Sequence, residues 1–375
     1  MFTIGIDANV LTRKNRTGTE RYVYELLTEM MKNTLMEGER VLLYSSAPLD
    51  DLGIMPNGWS VQILNWIPKK AWTHARLSWE LIRRTPNLFF TPAHEIPAFH
   101  GRTQIVSTVH DVAFRKVPGV YTSKIRKRQE WAVGRAIKES SHIITVSETT
   151  KADLLELYNV QGNTISATPL AVRRQDFTVQ ENTLQATLQR YGVSKGKYFV
   201  TIGRIEDKKN ISTLVKAFEE YKRSVGVGDS FKLFLGGTYG RGGEDLKKMI
   251  DSSPARSFIL TPGYVPEEDL APLVAGSAAY VFPSWYEGFG IPALEAFAAG
   301  TVLIASDIPA LHEVAGNAAV FADPKSVSQW ADKMIRISSE EISREEKIAQ
   351  GSERLEMFSW ATTASKTWEV LRSFK

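Results

Sequence analysis

A glycine turn between two glutamates is the segment of the chain best suited to bind a ligand. Glu287 and Glu295 are separated by seven residues, and Gly288 and Gly290 lie between them, ahead of Pro292. Proline here indicates the first turn of a helix, whose free N–H groups can bind an anion or sugar hydroxyls. A carboxylate accepts two hydroxyl groups at once, so one glutamate can hold a sugar and the other a ribose diol. The alternative is two surface acids without a ligand.

A basic segment follows the apolar run Tyr198–Ile202. Arg204 lies where that run ends, and Lys209 lies where a helix should begin. Two cations in these positions can neutralise a leaving diphosphate without a metal ion. Asn210 would then cap the helix. The alternative is a charged loop exposed to solvent.

Four further positions follow predicted strands, which is where ligands bind in open α/β sheets. Gly18 lies in the polar loop Asn15–Arg21 before a helix, where glycine permits close approach of a phosphate to the backbone. His110 ends a strand and can hydrogen-bond a substrate hydroxyl. Thr238 and Val265 lie in glycine-containing turns that can line the same crevice. An ordinary turn, or a histidine with a purely structural role, is the alternative at each position.

Several motifs are absent from the sequence, and their absence narrows the function classes. There is no cysteine, which excludes disulfides, thiolate zinc sites and a cysteine nucleophile. There is no Asp-x-Asp pair to hold a metal on a diphosphate, no Walker motif and no close histidine pair. The first strand is not followed by Gly-x-Gly-x-x-Gly, which argues against a dinucleotide oxidoreductase. We therefore expect no metal site and no cofactor.

The elements that must position these residues alternate between short apolar runs and longer amphipathic stretches, a pattern typical of parallel sheets with crossover helices. Helices are predicted at Arg21–Lys32, Thr149–Tyr158 and Trp360–Phe374, and a strand ending within Thr168–Val172 places a domain boundary near Val172. The other predicted strands are Phe2–Asp7, Val41–Ser45, Val61–Trp66, Leu88–Thr91, Ile105–His110, His142–Val146, Tyr198–Gly203, Lys232–Gly236, Ser257–Thr261, Ala279–Pro283, Val302–Ser306 and Ala319–Ala322.

The length and charge of the chain limit its class and its partners. With 375 residues, of which 43% are hydrophobic, it is long enough for two α/β domains. Lys and Arg number 46 against 42 Asp and Glu, so nucleic-acid binding is not indicated. The basic stretch Lys124–Arg128 is either the solvated face of a packed helix or a contact with an anionic membrane. Because the sequence contains neither a signal peptide nor a long apolar run, we expect a cytoplasmic protein, peripheral to the membrane if that stretch meets lipid.

Taken together, these motifs resemble glycosyltransferase family 4, a group of retaining enzymes with the GT-B fold. The resemblance covers nearly the whole chain and is closest to the mannosyl-transferring branch. It implies two Rossmann-like domains whose parallel sheets face each other across a cleft. Residues 1–172 would bind the acceptor, residues 173–357 would bind the nucleotide sugar, and the C-terminal helix 358–375 would cross back to the first domain. The motifs that carry the resemblance are Arg16-Thr17-Gly18, Val109-His110-Asp111, Thr145-Val146-Ser147-Glu148, Gly203-Arg204 with Lys209-Asn210, and Glu287-Gly288-Phe289-Gly290-Ile291-Pro292 with Glu295.

The resemblance also implies roles for individual residues. Arg204 and Lys209 would hold the departing diphosphate, Glu287 would bind the donor sugar and Glu295 the ribose, and His110 would contact a distal sugar hydroxyl. The implied donor-binding residues also include Gly18, Thr238, Val265, Phe289, Gly290 and Ile291. The chain departs from the family at the inter-domain turn, where Leu170-Ala171-Val172-Arg173 replaces Asn-Gly-Val-Asp. The hinge geometry therefore does not follow from the resemblance.

The expected activity is metal-independent, retaining transfer of a hexose from a nucleotide sugar to a saccharide or lipid-linked saccharide in polysaccharide or lipopolysaccharide synthesis. GDP-mannose is the first expectation for the donor. A UDP-linked glucosyl, galactosyl or N-acetylglucosaminyl donor is the second. A sugar-nucleotide epimerase of the same fold, an NAD-dependent oxidoreductase and a non-catalytic nucleotide-sugar sensor remain as alternatives.

Overall fold

The chain folds into two compact units in the computed structural model, which describes residues 1–13, 18–66, 71–226 and 228–375. The first unit comprises Met1–Leu170 together with Ser359–Lys375, and the second comprises Ala171–Phe358. The sequence-based boundary was placed after Val172, with the terminal helix returning from residue 358.

The first unit is built on a parallel sheet that has the strand order β3-β2-β1-β4-β5-β6-β7 in the described residues. Strands β1, β4 and β5 are buried almost throughout, as expected where helices cover both faces of a sheet. The strand order reverses between β1 and β4. The strands are β1 Phe2–Asp7, β2 Glu39–Ser45, β3 Trp59–Ile63, β4 Leu88–Thr91, β5 Gln104–Val109, β6 His142–Thr145 and β7 Ile165–Ala167.

The helices of the first unit include one contributed by the end of the chain. The terminal helix packs against the first helix, where the Trp368 indole N–H donates to the Met30 carbonyl at 3.4 Å and its ring meets Trp59 edge to face. An amphipathic helix such as this one needs a partner for its apolar face. The helices are α1 Gly18–Met30, α2 Ser78–Arg83, α3 Ala113–Lys116, α4 Ser123–Glu139, α5 Glu148–Tyr158 and the terminal helix Trp360–Arg372, and a π-helical turn spans Trp72–Leu77.

The second unit is also built on a parallel sheet. Its strand order is β10-β9-β8-β11-β12-β13 in the part of the chain that the structure describes. The strand order reverses between β8 and β11. The strands are β8 Tyr198–Ile202, β9 Lys232–Gly236, β10 Ile259–Gly263, β11 Ala279–Phe282, β12 Val302–Ser306 and β13 Ala319–Ala322. The helices are α6 Glu181–Tyr191, α7 Ile211–Val225, α8 Gly243–Asp251, α9 Glu267–Ala275, α10 Ile291–Ala298, α11 Pro309–Ala315, α12 Val327–Ser338 and α13 Arg344–Leu355, after which the terminal helix is α14.

The predicted α/β class with two parallel sheets is confirmed, but several strands differ from their predicted positions. The predicted strand Ser257–Thr261 lies at Ile259–Gly263, and the predicted strand Val41–Ser45 begins at Glu39. The predicted strand ending within Thr168–Val172 is wrong: the last strand of the first sheet is β7, which ends at Ala167. Pro169 has no N–H to donate to a neighbouring strand, so pairing stops before it. The predicted strand Val61–Trp66 begins earlier, at Trp59, and ends at Ile63.

Candidate active site

The loop after β8 is hydrogen-bonded to the loop after β9, which holds Arg204 at the carboxyl end of the second sheet. The Ile205 N–H donates to the Thr238 carbonyl at 3.0 Å, and the Gly240 N–H donates to the Ile205 carbonyl at 2.8 Å. Thr238 is exposed, and its carbonyl oxygen accepts the first of these hydrogen bonds. The hydrogen bonds between the two loops therefore hold the backbone next to Arg204 in place.

Glycine is required where these two loops meet. A Cβ added to Gly237, whose φ is +140°, would lie 1.7 Å from the carbonyl oxygen of Gly203. A Cβ added to Gly240 would lie 2.9 Å from Glu206 Oε2 and 3.3 Å from Arg204 Nε. Because glycine has no side chain, the backbone of the loop after β9 can approach the loop after β8 closely.

Lys209 and Glu287 form an ion pair that joins the basic loop to the glycine turn. Lys209 Nζ lies 2.7 Å from Glu287 Oε1, and Lys208 Nζ lies 3.9 Å from Glu287 Oε2. The Trp285 N–H also donates to the Lys208 carbonyl at 3.0 Å, which connects the backbones of the two segments. Two residues that are 78 positions apart in the sequence are therefore in direct contact.

The ion pair keeps Glu287 ionised in a buried position. Burial alone would raise the pKa of its carboxyl group, but the charges of Lys209 and Lys208 and a hydrogen bond from Lys209 outweigh burial and lower the pKa below its ordinary value. Glu287 therefore remains an acceptor for hydroxyl groups at neutral pH.

The turn before α10 presents the backbone that the sequence predicted. Gly290 has φ +109°, a conformation that other residues rarely adopt, and a Cβ there would lie 2.5 Å from Leu311 Cδ2. The Phe289 ring is buried and meets Phe358 edge to face, with ring centres 5.7 Å apart. Ile291 is the first residue of α10. The side chain of Phe289 thus holds the turn in place, and the backbone groups at the helix start remain the part suited to a ligand.

One cavity lies where the strand order reverses between β8 and β11. Arg204 and Lys209 line it from one side, and Ser284 and Pro292 line it from the other. Open α/β sheets bind ligands at such a reversal, beyond the carboxyl ends of the strands. The cavity therefore occupies the position where the fold favours a ligand.

The two glutamates of the sequence motif both act on Tyr280, which lines this cavity. Burial raises the pKa of Tyr280, and the charges of Glu295 and Glu287 raise it further. The Tyr280 hydroxyl donates to the Ile202 carbonyl at 2.8 Å. Val265 lies on the far side of β8, with its Cγ2 beside Gly236, another residue of the cavity. The sites predicted in the second unit therefore gather at one end of its sheet.

His110 lies in the first unit, at the carboxyl end of β5. Its Nε2–H donates to the Pro92 carbonyl at 3.0 Å, and its ring meets Tyr22 edge to face at 4.9 Å. Burial lowers its pKa to about 4, so the ring is neutral at physiological pH. Because Nε2 carries the proton, Nδ1 is the acceptor nitrogen. This arrangement suits a neutral ring that accepts a hydrogen bond from a hydroxyl group.

The low pKa of His110 predicts a pH dependence of stability. Between its ordinary pKa of 6.5 and its folded value of about 4, the unfolded chain binds a proton that the folded chain does not. His110 should therefore make the free energy of unfolding fall as pH is lowered from 6.5 to 4. Asp7, whose pKa burial raises to about 6, acts in the opposite direction in the same range.

The contribution of His110 is obtained by comparison with His110→Gln in urea unfolding at several pH values. The wild type should lose stability relative to the variant as pH falls, and Asp7 cancels because both proteins contain it. A stability difference that stays constant from pH 7 to pH 4 would contradict the neutral, buried state of His110.

Two of the predicted residues, Asn210 and Gly18, lie at the starts of helices. Asn210 occupies the N-cap position of α7, as predicted, but its side chain makes no capping hydrogen bond. Its Nδ2 donates to the Pro324 carbonyl at 2.7 Å, because a φ of +54° turns the side chain away from the helix N–H groups. Gly18 is the exposed first residue of α1. The rest of its predicted phosphate loop, residues 14–17, lies outside the described residues.

Sequence reasoning missed the part played by Lys208 and Tyr280. Lys208 lies next to Lys209 in the basic loop, and its proximity to Glu287 depends on the short helical turn Asp207–Lys209. Tyr280 is one of several apolar and aromatic residues in β11 and carries no distinguishing motif. The run of two lysines was a usable signal for Lys208, whereas nothing in the sequence marked Tyr280.

The chain is similar to known glycosyltransferases in sequence. The profile of Glycosyl transferases group 1 matches residues 187–354, and the profile of Glycosyltransferase Family 4 matches residues 16–175. O-antigen chain mannosyltransferase B of Escherichia coli is 27% identical over 292 residues, which are 78% of this chain and 76% of that protein. O-antigen chain mannosyltransferase RfbU of Salmonella typhimurium is 30% identical over 261 residues, 68% of this chain and 67% of that protein.

Solved structures with the same fold have low sequence identity to this chain. Alr3699/HepE of Anabaena, in complex with UDP-glucose, superposes with a TM-score of 0.76 at 16% identity, and both chains are covered completely. WaaG, a glycosyltransferase involved in lipopolysaccharide biosynthesis, superposes with a TM-score of 0.73 at 15% identity over 98% of this chain and 99% of its own. At these identities the similarity shows the fold alone.

Proposed function

The chain belongs to glycosyltransferase family 4, and from that membership we propose that it is a retaining mannosyltransferase that uses GDP-mannose. The acceptor would be a saccharide or a lipid-linked saccharide in the synthesis of a cell-envelope polysaccharide. The names of the O-antigen mannosyltransferase relatives support both the sugar and the class of acceptor. No metal ion and no cofactor take part in the proposed reaction.

The contact of Lys209 with Glu287 beside Arg204 is the observation that carries this proposal. Two cations at the end of β8 provide the charge that a departing diphosphate needs, and a buried ionised carboxylate lies within 2.7 Å of one of them. Preorganised cations stabilise charge that develops in a transition state, because they need not reorganise during the reaction. The glycine turn before α10 adds N–H donors next to the same cavity.

In the proposed mechanism, the bond between the anomeric carbon and the diphosphate oxygen breaks first, and its electron pair leaves with the diphosphate. Arg204 and Lys209 stabilise the negative charge, while the sugar gains oxocarbenium character. The acceptor hydroxyl forms the new bond on the face that the diphosphate leaves, and its proton passes to the departing phosphate oxygen. The configuration of the sugar is therefore retained, and no protein nucleophile is needed.

Other residues of the second unit position the donor in this proposal. Glu287 binds hydroxyls of the transferred sugar together with the backbone of residues 289–291, which include Phe289, Gly290 and Ile291. Glu295, on α10, binds the ribose diol. Thr238 and Val265, which follow β9 and β10, would contact the nucleotide. Gly18 and His110, in the first unit, remain predictions of the family resemblance.

A panel of nucleotide sugars tests the proposed activity. The purified chain is incubated with GDP-mannose or with UDP-linked glucose, galactose or N-acetylglucosamine, with and without saccharide and lipid-linked acceptors, and free nucleotide is measured. We expect release of GDP that depends on the acceptor. Release of UDP from a UDP-hexose would replace the donor assignment. An epimerised donor without an acceptor, or binding without release of nucleotide, would overturn transfer altogether.

We also propose contact of the basic stretch Lys124–Arg128 with an anionic membrane surface. All five residues are exposed on the first turns of α4. Within the described residues, no helix has the length and apolar character needed to cross a membrane. The chain should sediment with vesicles of phosphatidylcholine and phosphatidylglycerol, whereas it should stay in the supernatant with phosphatidylcholine alone. Equal sedimentation with both would contradict an electrostatic contact.

A further inference from the structure

A second polar cluster lies at the carboxyl edge of the first sheet. Strand β4 ends at Thr91 and leads into a segment that carries His94 and Glu95. The strand order of this sheet reverses between β1 and β4, so this segment flanks a position where open α/β sheets bind ligands. None of these residues takes part in the proposed donor site.

Glu95 connects three separate elements. Its Oε1 lies 3.2 Å from His74 Nε2, in the π-helical turn, and 3.4 Å from Arg128 Nη2, on α4. Trp131, one turn further along α4, meets His74 edge to face at 5.8 Å. A carboxylate, a guanidinium, an imidazole and an indole are therefore brought together from distant parts of the sequence.

The indole of Trp131 is left open to solvent, although it lies among charged groups. Trp131 is 53% exposed, and the Arg135 guanidinium lies 5.2 Å from the centre of its ring. Ala132 and Ala136, on the same helix, are buried, whereas Trp131 is not. An exposed aromatic ring beside polar groups is a feature typical of binding surfaces.

Two histidines in this cluster have unpaired ring nitrogens. His74 Nδ1 and His94 Nδ1 are both buried without a hydrogen-bond partner. A buried polar atom without a partner destabilises a fold, so such atoms are uncommon in proteins unless a ligand or water satisfies them. The two nitrogens are thus hydrogen-bonding groups beside Glu95 that contacts within the protein leave unsatisfied.

The backbone beneath His74 is unusual as well. The turn Trp72–Leu77 has π-helical hydrogen bonding, and Ala71, immediately before it, has φ +61°. A positive φ is rare for residues other than glycine, and π-helical hydrogen bonding is rare among helices. Both are concentrated at functional sites. Among the described residues, no group of three or more histidine, aspartate or glutamate side chains could hold a metal ion. A carboxylate, a guanidinium and an exposed indole are groups suited to a polar organic ligand.

We propose that His74, Glu95, Arg128 and Trp131 bind a pyranose ring of the acceptor glycan. The apolar face of a sugar ring packs on an exposed indole, and its hydroxyls pair with a carboxylate and a guanidinium. Such a mixture of one aromatic surface and several convergent polar groups is suited to a ligand that is itself amphipathic. This assignment rests on the proposed function, because it takes the acceptor to be a saccharide.

Saturation-transfer NMR with simple glycosides tests this site on the full chain. The probes are the methyl α-glycosides of mannose, glucose, galactose and N-acetylglucosamine. The wild type should transfer saturation to the ring protons of at least one probe, and Trp131→Ala should weaken its binding by about tenfold, which corresponds to the loss of one stacking contact. Trp131→Phe should keep part of the binding, and Glu95→Gln should lower it without removing the aromatic ring.

Trp79→Ala is the matched control. Trp79 is an exposed tryptophan of the same unit, at 59%, on α2. It should bind the probes like the wild type. Titration with GDP by calorimetry should give the same affinity for all variants within about twofold, which shows that the second unit is intact. Circular dichroism and thermal melting verify that each variant folds.

The outcomes separate the site from the proposed function. Equal binding by Trp131→Ala, Glu95→Gln and the wild type, or no binding of any glycoside to the wild type, overturns the saccharide site and leaves the transferase assignment standing. Probe binding that depends on Trp131, in a chain that releases no nucleotide from any donor, supports a saccharide site and overturns the transferase.

Discussion

Replacement of Lys209 by alanine should lower turnover by about 100-fold to 1,000-fold, the range observed when one preorganised donor to a developing anion is removed. Lys209 provides a cation for the departing diphosphate in the proposed mechanism, and it is also the nearest partner of Glu287. Without it, the buried carboxylate loses the nearer of the two lysines that lower its pKa, so its pKa should rise. Both effects weaken stabilisation of the transition state.

The measurement is kcat and KM from acceptor-dependent release of nucleotide. Glu287→Gln, which keeps the shape of the side chain and removes its charge, should also lower kcat. Lys248→Ala is the control, because Lys248 is an exposed lysine on α8. Turnover near the wild-type value in both Lys209→Ala and Glu287→Gln would overturn the assignment of the site, provided that circular dichroism shows folded protein.

Substitution of Gly237 by alanine is expected to destabilise the second unit by about 3 kcal/mol or more. The new Cβ would lie 1.7 Å from the Gly203 carbonyl oxygen, which is backbone and cannot rotate away. The conformation itself, with φ +140°, also disfavours any residue with a side chain. The β8 and β9 loops would have to separate, and Arg204 would move with them.

Gly263→Ala separates backbone strain from steric overlap. Gly263 has φ +85°, but nothing lies within 4 Å of a Cβ added there. Alanine at this position should therefore cost about 1 kcal/mol, from the backbone conformation alone. Urea unfolding of both variants measures the difference. A Gly237→Ala variant as stable as Gly263→Ala would contradict the close approach of the two loops.

The sequence was sufficient to predict the elements that follow from local patterns. Apolar runs marked the strands, and the segment from Glu287 to Glu295 marked a helix start because Gly290 and Pro292 constrain the backbone locally. The parallel order of both sheets also follows from alternation of strands and helices. These features depend on residues near one another in the chain.

Features that depend on long-range packing could not be predicted from the sequence. The pairing of Lys209 with Glu287 requires β8 and β11 to be neighbours, and that follows from the sheet order and not from either motif. The sequence did not indicate that Trp131 is exposed, because a tryptophan in an amphipathic helix usually faces a core. Asn210 was expected to cap α7 from its residue type, but its side chain instead holds the Pro324 carbonyl. Tertiary contacts override local preference in each case.

The most direct test of the account is a product analysis by proton NMR, with GDP-mannose and an acceptor identified by the donor panel. If cations at the end of β8 remove the diphosphate while the acceptor attacks on the same face, GDP and a new α-linked mannoside should appear in equal amounts. A β-linked mannoside, or GDP with free mannose alone, would contradict the retaining transfer that Arg204 and Lys209 are proposed to support.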